Sequence, residues 1–285
     1  MALSVRAIAP ADVAEAGRIC HDAFRAIAGQ HNFPPDFPDR AVATGLLTRL
    51  SKHPGVYGVV AELDGQVVVS NFVDERSPII GLGPITVDPA VQNRGVGAAL
   101  MRHMIERAER NGAAGLRLLQ SGYHTRSLSL YTKLGFAVRE PIACLQGAPV
   151  GLAIPGCSVR PAAAADVEAC DRLCRDVHGH ARGGDLRDAV AEGTASVVER
   201  GGKITGYTTG IAFFGHAVGE TNDDLKALIG AAPAFGGPGF LLPSRNTELF
   251  QWCLVQGLRM VQPMTLMTIG LYNEPRGAWL PSILF

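Results

Sequence analysis

The sequence predicts an α/β (α+β) protein made of two successive copies of one unit, each a mixed, mostly antiparallel sheet flanked by helices. Three observations predict it. The chain repeats itself: residues 4–22, SVRAIAPADVAEAGRICHD, return without a gap at an offset of 154 as residues 158–176, SVRPAAAADVEACDRLCRD. Short apolar runs of period two alternate along the chain with segments of helical period. The 285 residues are 47% hydrophobic and 18% charged, enough apolar matter for packed cores and too much for disorder.

In each copy the repeated segment reads as a strand, a turn whose aspartate (Asp12 or Asp166) caps a helix, and an amphipathic helix. VVAELDGQVVV (59–69) and VVERGGKITG (197–206) follow, apolar runs around DG or GG that mark a hairpin. In the first copy a strand, PIIGLGPITVDP (78–89), then ends at a proline. Next comes VQNRGVGAALMRHMIERAERNG (91–112), in which Val96, Leu100, Met104, Ile105 and Ala108 share one helix face. Arg107 and Arg110 complement the dipole at its end, and Asn111-Gly112 closes it. LRLLQSGYHTRSLSLYTKLGF (116–136) and FLLPSRNTELFQWCLVQGL (240–258) finish the copies with strand, loop, short helix and a Gly-marked turn. The Gly/Pro-rich segment QGAPVGLAIPG (146–156) separates them, predicting units at 1–147 and 157–285 joined by a linker at 148–156.

Lys plus Arg equals Asp plus Glu at 26 each, which leaves no electrostatic footprint for nucleic acid or an anionic membrane. The start MALSVRAIAP lacks the apolar run of a secretory signal, and no stretch of about 18 apolar residues would span a bilayer. The six cysteines form no CxxC pair, so a reduced, cytoplasmic protein is expected. Cys170 and Cys174, with His178 and His180 nearby, read as zinc ligands or, by preference, as buried thiols, so no metal is expected.

Gly95 and Gly97 open the helix that starts near residue 96. No side chain there blocks an oxygen-rich group, and the first N–H groups point outward with the positive end of the dipole behind them, which makes an anion site. Nucleotide fingerprints do not fit: Leu100 stands where GxGxxG needs its third glycine, and no GxxxxGK[ST] occurs. The pattern Gln92-x-x-Gly95-x-Gly97 after Asp88-Pro89, followed by LSLYTKLGF (128–136), resembles the coenzyme A and L-Y-x-x-L-G-F signatures of the GNAT (GCN5-related N-acetyltransferase) superfamily. The likeness is close over residues 4–145 and fainter beyond.

The resemblance implies an acetyl-CoA-dependent N-acetyltransferase acting by direct transfer in a ternary complex. Backbone groups of Ile85, Thr86 and Val87 would pair with the pantetheine arm, and an N–H near Val87 would polarise the thioester carbonyl. Amides of Gln92, Asn93, Arg94, Gly95, Val96, Gly97 and Ala98 would hold the pyrophosphate, with the Arg94 side chain either a phosphate contact or solvated. Tyr131 matches the family's general acid. Where the family often has an Asn on the cofactor arm stands His124, which replaces that contact, acts as a base, or does neither. Residues 79–87 contain no carboxylate, so the base is Asp74, Glu75 or, by default, a water chain. The acceptor is expected over AGQHNFPPDFPDR (28–40), a stiff apolar loop in which Phe33, Asp36, Phe37 and His31 are the candidates to line the pocket, with Asp36 attracting an ammonium and plain packing as the alternative for both phenylalanines. APAFGGPGFLLPS (232–244) is expected to close the cleft from the second copy.

That second copy has no Q-x-x-G-x-G, places Asp223 and Asp224 where a phosphate needs donors, and has Cys253 in place of Tyr131, so it is read as degenerate and unable to bind coenzyme A. A small-molecule primary amine is the expected acceptor. A non-catalytic acyl-CoA sensor and a protein or peptide acceptor are the alternatives, and monomer and homodimer both stay open.

Overall fold

The computed structural model describes residues 3–92 and 94–284. The first copy runs β1 (Leu3–Ala7), α1 (Val13–Gln30), α2 (Arg40–Lys52), β2 (Val56–Leu63), β3 (Gln66–Asp74), β4 (Ile79–Leu82), β5 (Thr86–Val87), α3 (Val96–Arg110), β6 (Gly115–Ser121), α4 (Thr125–Lys133) and β7 (Ala137–Gln146). The second runs β8 (Ser158–Pro161), α5 (Val167–His178), α6 (Gly183–Ala191), β9 (Ser196–Arg200), β10 (Lys203–Thr208), β11 (Ala217–Gly219), α7 (Asn222–Ala231), β12 (Phe240–Pro243), α8 (Thr247–Val255), β13 (Arg259–Gly270) and β14 (Ala278–Leu280).

Repeated residues make repeated contacts. Arg6 donates to Asp12 at 2.6 Å and also grips Glu62, while Asp12 accepts the Ala9 N–H at 2.7 Å. In the second copy Arg160 bonds Asp166 at 2.7 Å and Glu199 at 2.6 Å, and Asp166 accepts the Ala163 N–H at 2.8 Å. Each clip fastens the first strand, the hairpin beside it and the entry to the first helix. The aspartates act on the short 3-10 turns that precede α1 and α5, whose own first turns carry no side-chain cap. Both hairpins turn on two left-handed residues, Asp64-Gly65 (φ 50°, 83°) and Gly201-Gly202 (φ 57°, 75°), whose twist suits antiparallel strands.

A nine-stranded sheet runs β1-β2-β3-β4-β6-β13-β7-β12, with β5 joined to β3, and a five-stranded sheet runs β14-β11-β10-β9-β8. The larger sheet crosses between the copies. β13 lies antiparallel to β6 (Met264↔Ser121 through Gly270↔Gly115) and to β7, and β7 pairs in turn with β12. Each copy therefore lays its last long strand beside the other's, and residues 147–157 cross between them without regular secondary structure. Met264, Leu266 and Met267 of β13 are buried by this exchange, at roughly 1.5–3 kcal/mol of hydrophobic stabilisation per side chain.

The strand predicted as continuous over 78–89 is broken. β4 pairs in parallel with β6 from Ile79↔Gly115 to Gly81↔Arg117 and then leaves it. Gly83 takes φ 143° and Pro84 has no N–H to continue a ladder, so the chain resumes as β5 on the β3 side alone. A wedge opens between β5 and the outer half of β6. On one face of the sheet α3 packs Val96, Leu100 and Met104 against Leu118 and Tyr131. On the other, Leu119 meets Cys144, Phe213 and Met264.

Among the described residues the second copy lacks this opening. The far edge of β11, which corresponds to the open edge of β5, is paired with β14 from Ala217↔Leu280 to Gly219↔Ala278.

Candidate active site

The wedge leads into a cavity of about 800 Å³, within the range of small-ligand sites. Its wall includes Tyr131 from one face of the sheet and Phe213 and Met264 from the other, so the cavity passes through the sheet.

At one end stands the start of α3. Gly95 takes φ 78°, a left-handed turn that glycine adopts without steric cost, and a Cβ on Gly97 would come within 3.2 Å of Val87 Cγ2. The first helical acceptor is Gly95 C=O, bonded by Ala99 N–H at 3.0 Å. The N–H groups of Val96, Gly97 and Ala98 precede it at the helix's positive end, and all three residues line the cavity. Gln92 donates to Val87 C=O at 3.2 Å and accepts from Arg126 at 2.7 Å, tying this loop to β5 and α4. Arg126 lines the cavity and was not singled out by the sequence. Arg94 is exposed and stands outside the wall, and Asn93 lies outside the described residues.

In the middle, Asp88 N–H donates to Val68 C=O at 2.8 Å. Strand alternation therefore turns the Val87 N–H away from β3 and into the wedge, and turns the Thr86 backbone toward β3. The Thr86 hydroxyl bonds Ser70 at 3.0 Å, and Ile85 lines the opening. Tyr131 is buried in the wall. Burial pushes its phenol up to about 12, opposed by a hydrogen bond to Ser127, so it stays protonated at neutral pH. Ser127 in turn bonds His124 Nδ1 at 2.7 Å. Burial, then the Arg126 and His31 charges, lower His124 to about 4, so it is a neutral partner of Ser127 rather than a strong base. Gln120 also lines the cavity, 6% exposed, with neither side-chain Nε2 nor Oε1 bonded to any described residue. Its spacing from Leu118 places it on the Tyr131 face.

At the other end Asp36 and Phe37 enter the wall. Phe33 does not; it stacks on Tyr123 (centroids 4.2 Å, planes 9° apart), and His31 leans on the same ring from an exposed position. Asp36 accepts from Gln262 of β13 at 3.2 Å, and burial raises its carboxyl to about 6 against the opposing effect of that bond. It is the one carboxylate of the wall among the described residues. Asp74 and Glu75 stand outside the wall, Asp74 paired with Arg76 and Glu75 with Arg107 and Asn111. The second copy contributes Phe213, Phe214, Met264, Ile283 and Leu284 to the wall, not 232–244, because Phe235 and Phe240 are buried in that copy's own core.

Residues 22–136 match the acetyltransferase (GNAT) family model. That segment, most of the first copy, is similar to the GNAT acetyltransferases. A 52-residue stretch is 40% identical to the [ribosomal protein bS18]-alanine N-acetyltransferase of Escherichia coli K12, covering 18% of this chain and 35% of that relative, so the chain spans about a third of the relative's length. A Pyrococcus horikoshii protein assigned to the acetyltransferases superposes with a TM-score of 0.74 at 17% identity over 97% of this chain and 94% of its own. A tandem GNAT protein from the clavulanic acid biosynthesis pathway gives 0.56 at 14% identity over 95% and 100%. At those identities the likeness concerns the fold, and it is the tandem GNAT fold.

Within that fold the second copy's helix start carries a capping box and a carboxylate. Asp224, fully buried at the third position of α7, accepts the Thr221 N–H at 2.9 Å and bonds Arg200 and Thr205. Cys253 is packed in the core there. Cys170 and Cys174 are buried, no group of three metal-ligating side chains occurs among the described residues, and none of their helices is long and apolar enough to cross a membrane.

Proposed function

We propose that the chain is an acetyl-CoA-dependent N-acetyltransferase of a small-molecule primary amine, with catalysis in the 1–147 unit and no coenzyme A site in the 157–285 unit. The observation that carries this is one continuous cavity linking the open N–H groups of α3 to the Tyr131 phenol through the wedge. Acetyl-CoA fits the donor set. An anionic pyrophosphate matches the Val96–Ala98 amides and Arg126, and the paired amides of a pantetheine arm match the open edge of Val87 and the orphaned Gln120 amide, which offers both a donor and an acceptor. Acetyl-CoA supplies the activated acyl group.

The protein's residues would do the rest. The Val87 N–H donates to the carbonyl oxygen as negative charge gathers on it. Tyr131, kept protonated by burial and oriented by Ser127, gives its proton to the departing sulfur. The β14 pairing and the Asp224 cap favour a second copy that shapes the site without binding the cofactor.

Tyr131→Phe tests the reading. Turnover should fall by roughly a hundredfold or more while acetyl-CoA affinity stays within a few-fold of the parent. Binding without turnover in the parent, over a broad amine panel, would favour a non-catalytic sensor.

A further inference from the structure

Outside the cofactor path, the acceptor end of the cavity has a composition of its own. Around one carboxylate, Asp36, stand Phe37, Phe213, Phe214, Met264, Ile283 and Leu284, a wall of carbon from both copies. The carboxylate is not free to swing. Gln262, 1% exposed on β13, donates its Nε2–H to Asp36 at 3.2 Å, and its Oε1 lies 3.5 Å from the Tyr123 hydroxyl. Tyr123 is itself fixed by stacking on Phe33. A loop of the first copy and a strand of the second, 226 residues apart, thus meet on one side-chain chain that ends at a carboxylate facing the cavity. Such a group attracts a cation, and the surrounding carbon favours an apolar body behind it.

We propose that Asp36 anchors the ammonium group of the acceptor and takes its proton, positioned by Gln262, and that the acceptor is a compact primary amine with an apolar body. This rests on the acetyltransferase reading and deepens it. Asp36 removes one proton from the ammonium and releases it to solvent after the cycle. The neutral nitrogen then forms its bond to the acyl carbon as the carbon–sulfur bond breaks. Tyr131 protonates the sulfur, and the surplus proton on nitrogen restores the Tyr131 phenol. The net release is one proton. The titratable groups around Asp36 are Cys20 from α1, Cys144 from β7 and Tyr123 after β6, all kept neutral by burial. A carboxyl raised to about 6 is ionised at neutral pH and still basic enough to accept the proton.

The test compares the parent, Asp36→Asn and Gln262→Leu. Each is assayed with acetyl-CoA against 2-phenylethylamine, spermidine and an Ala-initiated peptide, with acetyl-CoA affinity measured by calorimetry. The parent should prefer 2-phenylethylamine in kcat/KM, with an ascending limb near pH 6. Asp36→Asn should lose that limb and about a hundredfold in kcat/KM while binding acetyl-CoA as the parent does. Gln262→Leu should move the limb to higher pH, because the bond it removes holds the carboxyl down. Infrared titration of the parent against Asp36→Asn, with no substrate present, should show one carboxyl protonating near pH 6. A limb unchanged in Asp36→Asn overturns the assignment of the base, and preference for spermidine or the peptide overturns the acceptor class. Failure of the parent to bind acetyl-CoA would instead overturn the acetyltransferase reading itself.

Discussion

Replacing Gln120 by leucine should move stability and cofactor affinity in opposite directions. Gln120 is 6% exposed, and neither polar atom of its amide has a partner among the described residues. Each buried, unsatisfied polar group costs about 1–3 kcal/mol, while an apolar replacement of similar shape carries no such penalty. Leu118, two residues earlier on the same face, already packs into the apolar core, so a second leucine has compatible neighbours. Gln120→Leu is therefore expected to raise stability by about 1–3 kcal/mol, a rise in Tm of roughly 2–4 °C per kcal/mol for a chain of this size. The same change removes a donor and an acceptor from the cofactor path. One hydrogen bond at about 0.5–1.5 kcal/mol corresponds to a loss of roughly two- to tenfold in acetyl-CoA affinity. Thermal melts of both proteins with and without acetyl-CoA read the two effects together: the variant should melt higher alone and gain less from the ligand. A variant that melts lower and binds acetyl-CoA as tightly as the parent would refute the reasoning, because the amide would then be satisfied in the free protein and idle in the complex.

Other consequences follow from backbone and charge. Gly95→Ala meets open space but must hold φ 78°, at about 1–2 kcal/mol; the melting temperature should fall by several degrees, and an unchanged value would mean that the turn is not left-handed. His178, His180 and His216 are buried, and burial first, with neighbouring charges second, holds each below its ordinary value, His180 at about 4. The unfolded chain protonates them near about 6.5, so their contribution is present above that pH and is lost as pH falls below it, by up to ~1.4 kcal/mol per pH unit for each histidine. Urea unfolding at pH 7.5 and 5.5 should show the loss, and equal midpoints would contradict it.

Local signals in the sequence carried much of the fold. Asp64-Gly65 and Gly201-Gly202 announce their turns because only left-handed residues close such hairpins. Gly95 and Gly97 announce a helix start open to an anion. The break at Gly83-Pro84 was also visible as a proline inside a strand pattern, and reading 78–89 as one strand passed over it. Long-range features were not legible. Nothing in the apolar pattern of β13 says that it pairs with β6 and β7, since a buried strand reads alike beside any neighbour. Asp36 was visible as a charge in an apolar loop, but its partner Gln262 belongs to that exchanged strand. Gln120 sits in a strand whose other residues gave no reason to ask where an amide would find its bonds. Arg126 looked like any surface arginine on a short helix until Gln92 was seen to meet it.

The helix start offers the most direct test of a single coenzyme A site. Ala98 holds the third position of α3, as Asp224 holds that of α7, where its carboxylate accepts the N–H of Thr221 just before the helix and sets a negative charge at the helix start. Ala98→Asp transplants that cap to the first copy without touching Gly95 or Tyr131. Calorimetric titration with acetyl-CoA should give one site per chain for the parent and none for Ala98→Asp, with the variant's thermal stability preserved. Undiminished binding to Ala98→Asp, or two sites in the parent, would contradict the assignment of the site to the α3 N-terminus alone.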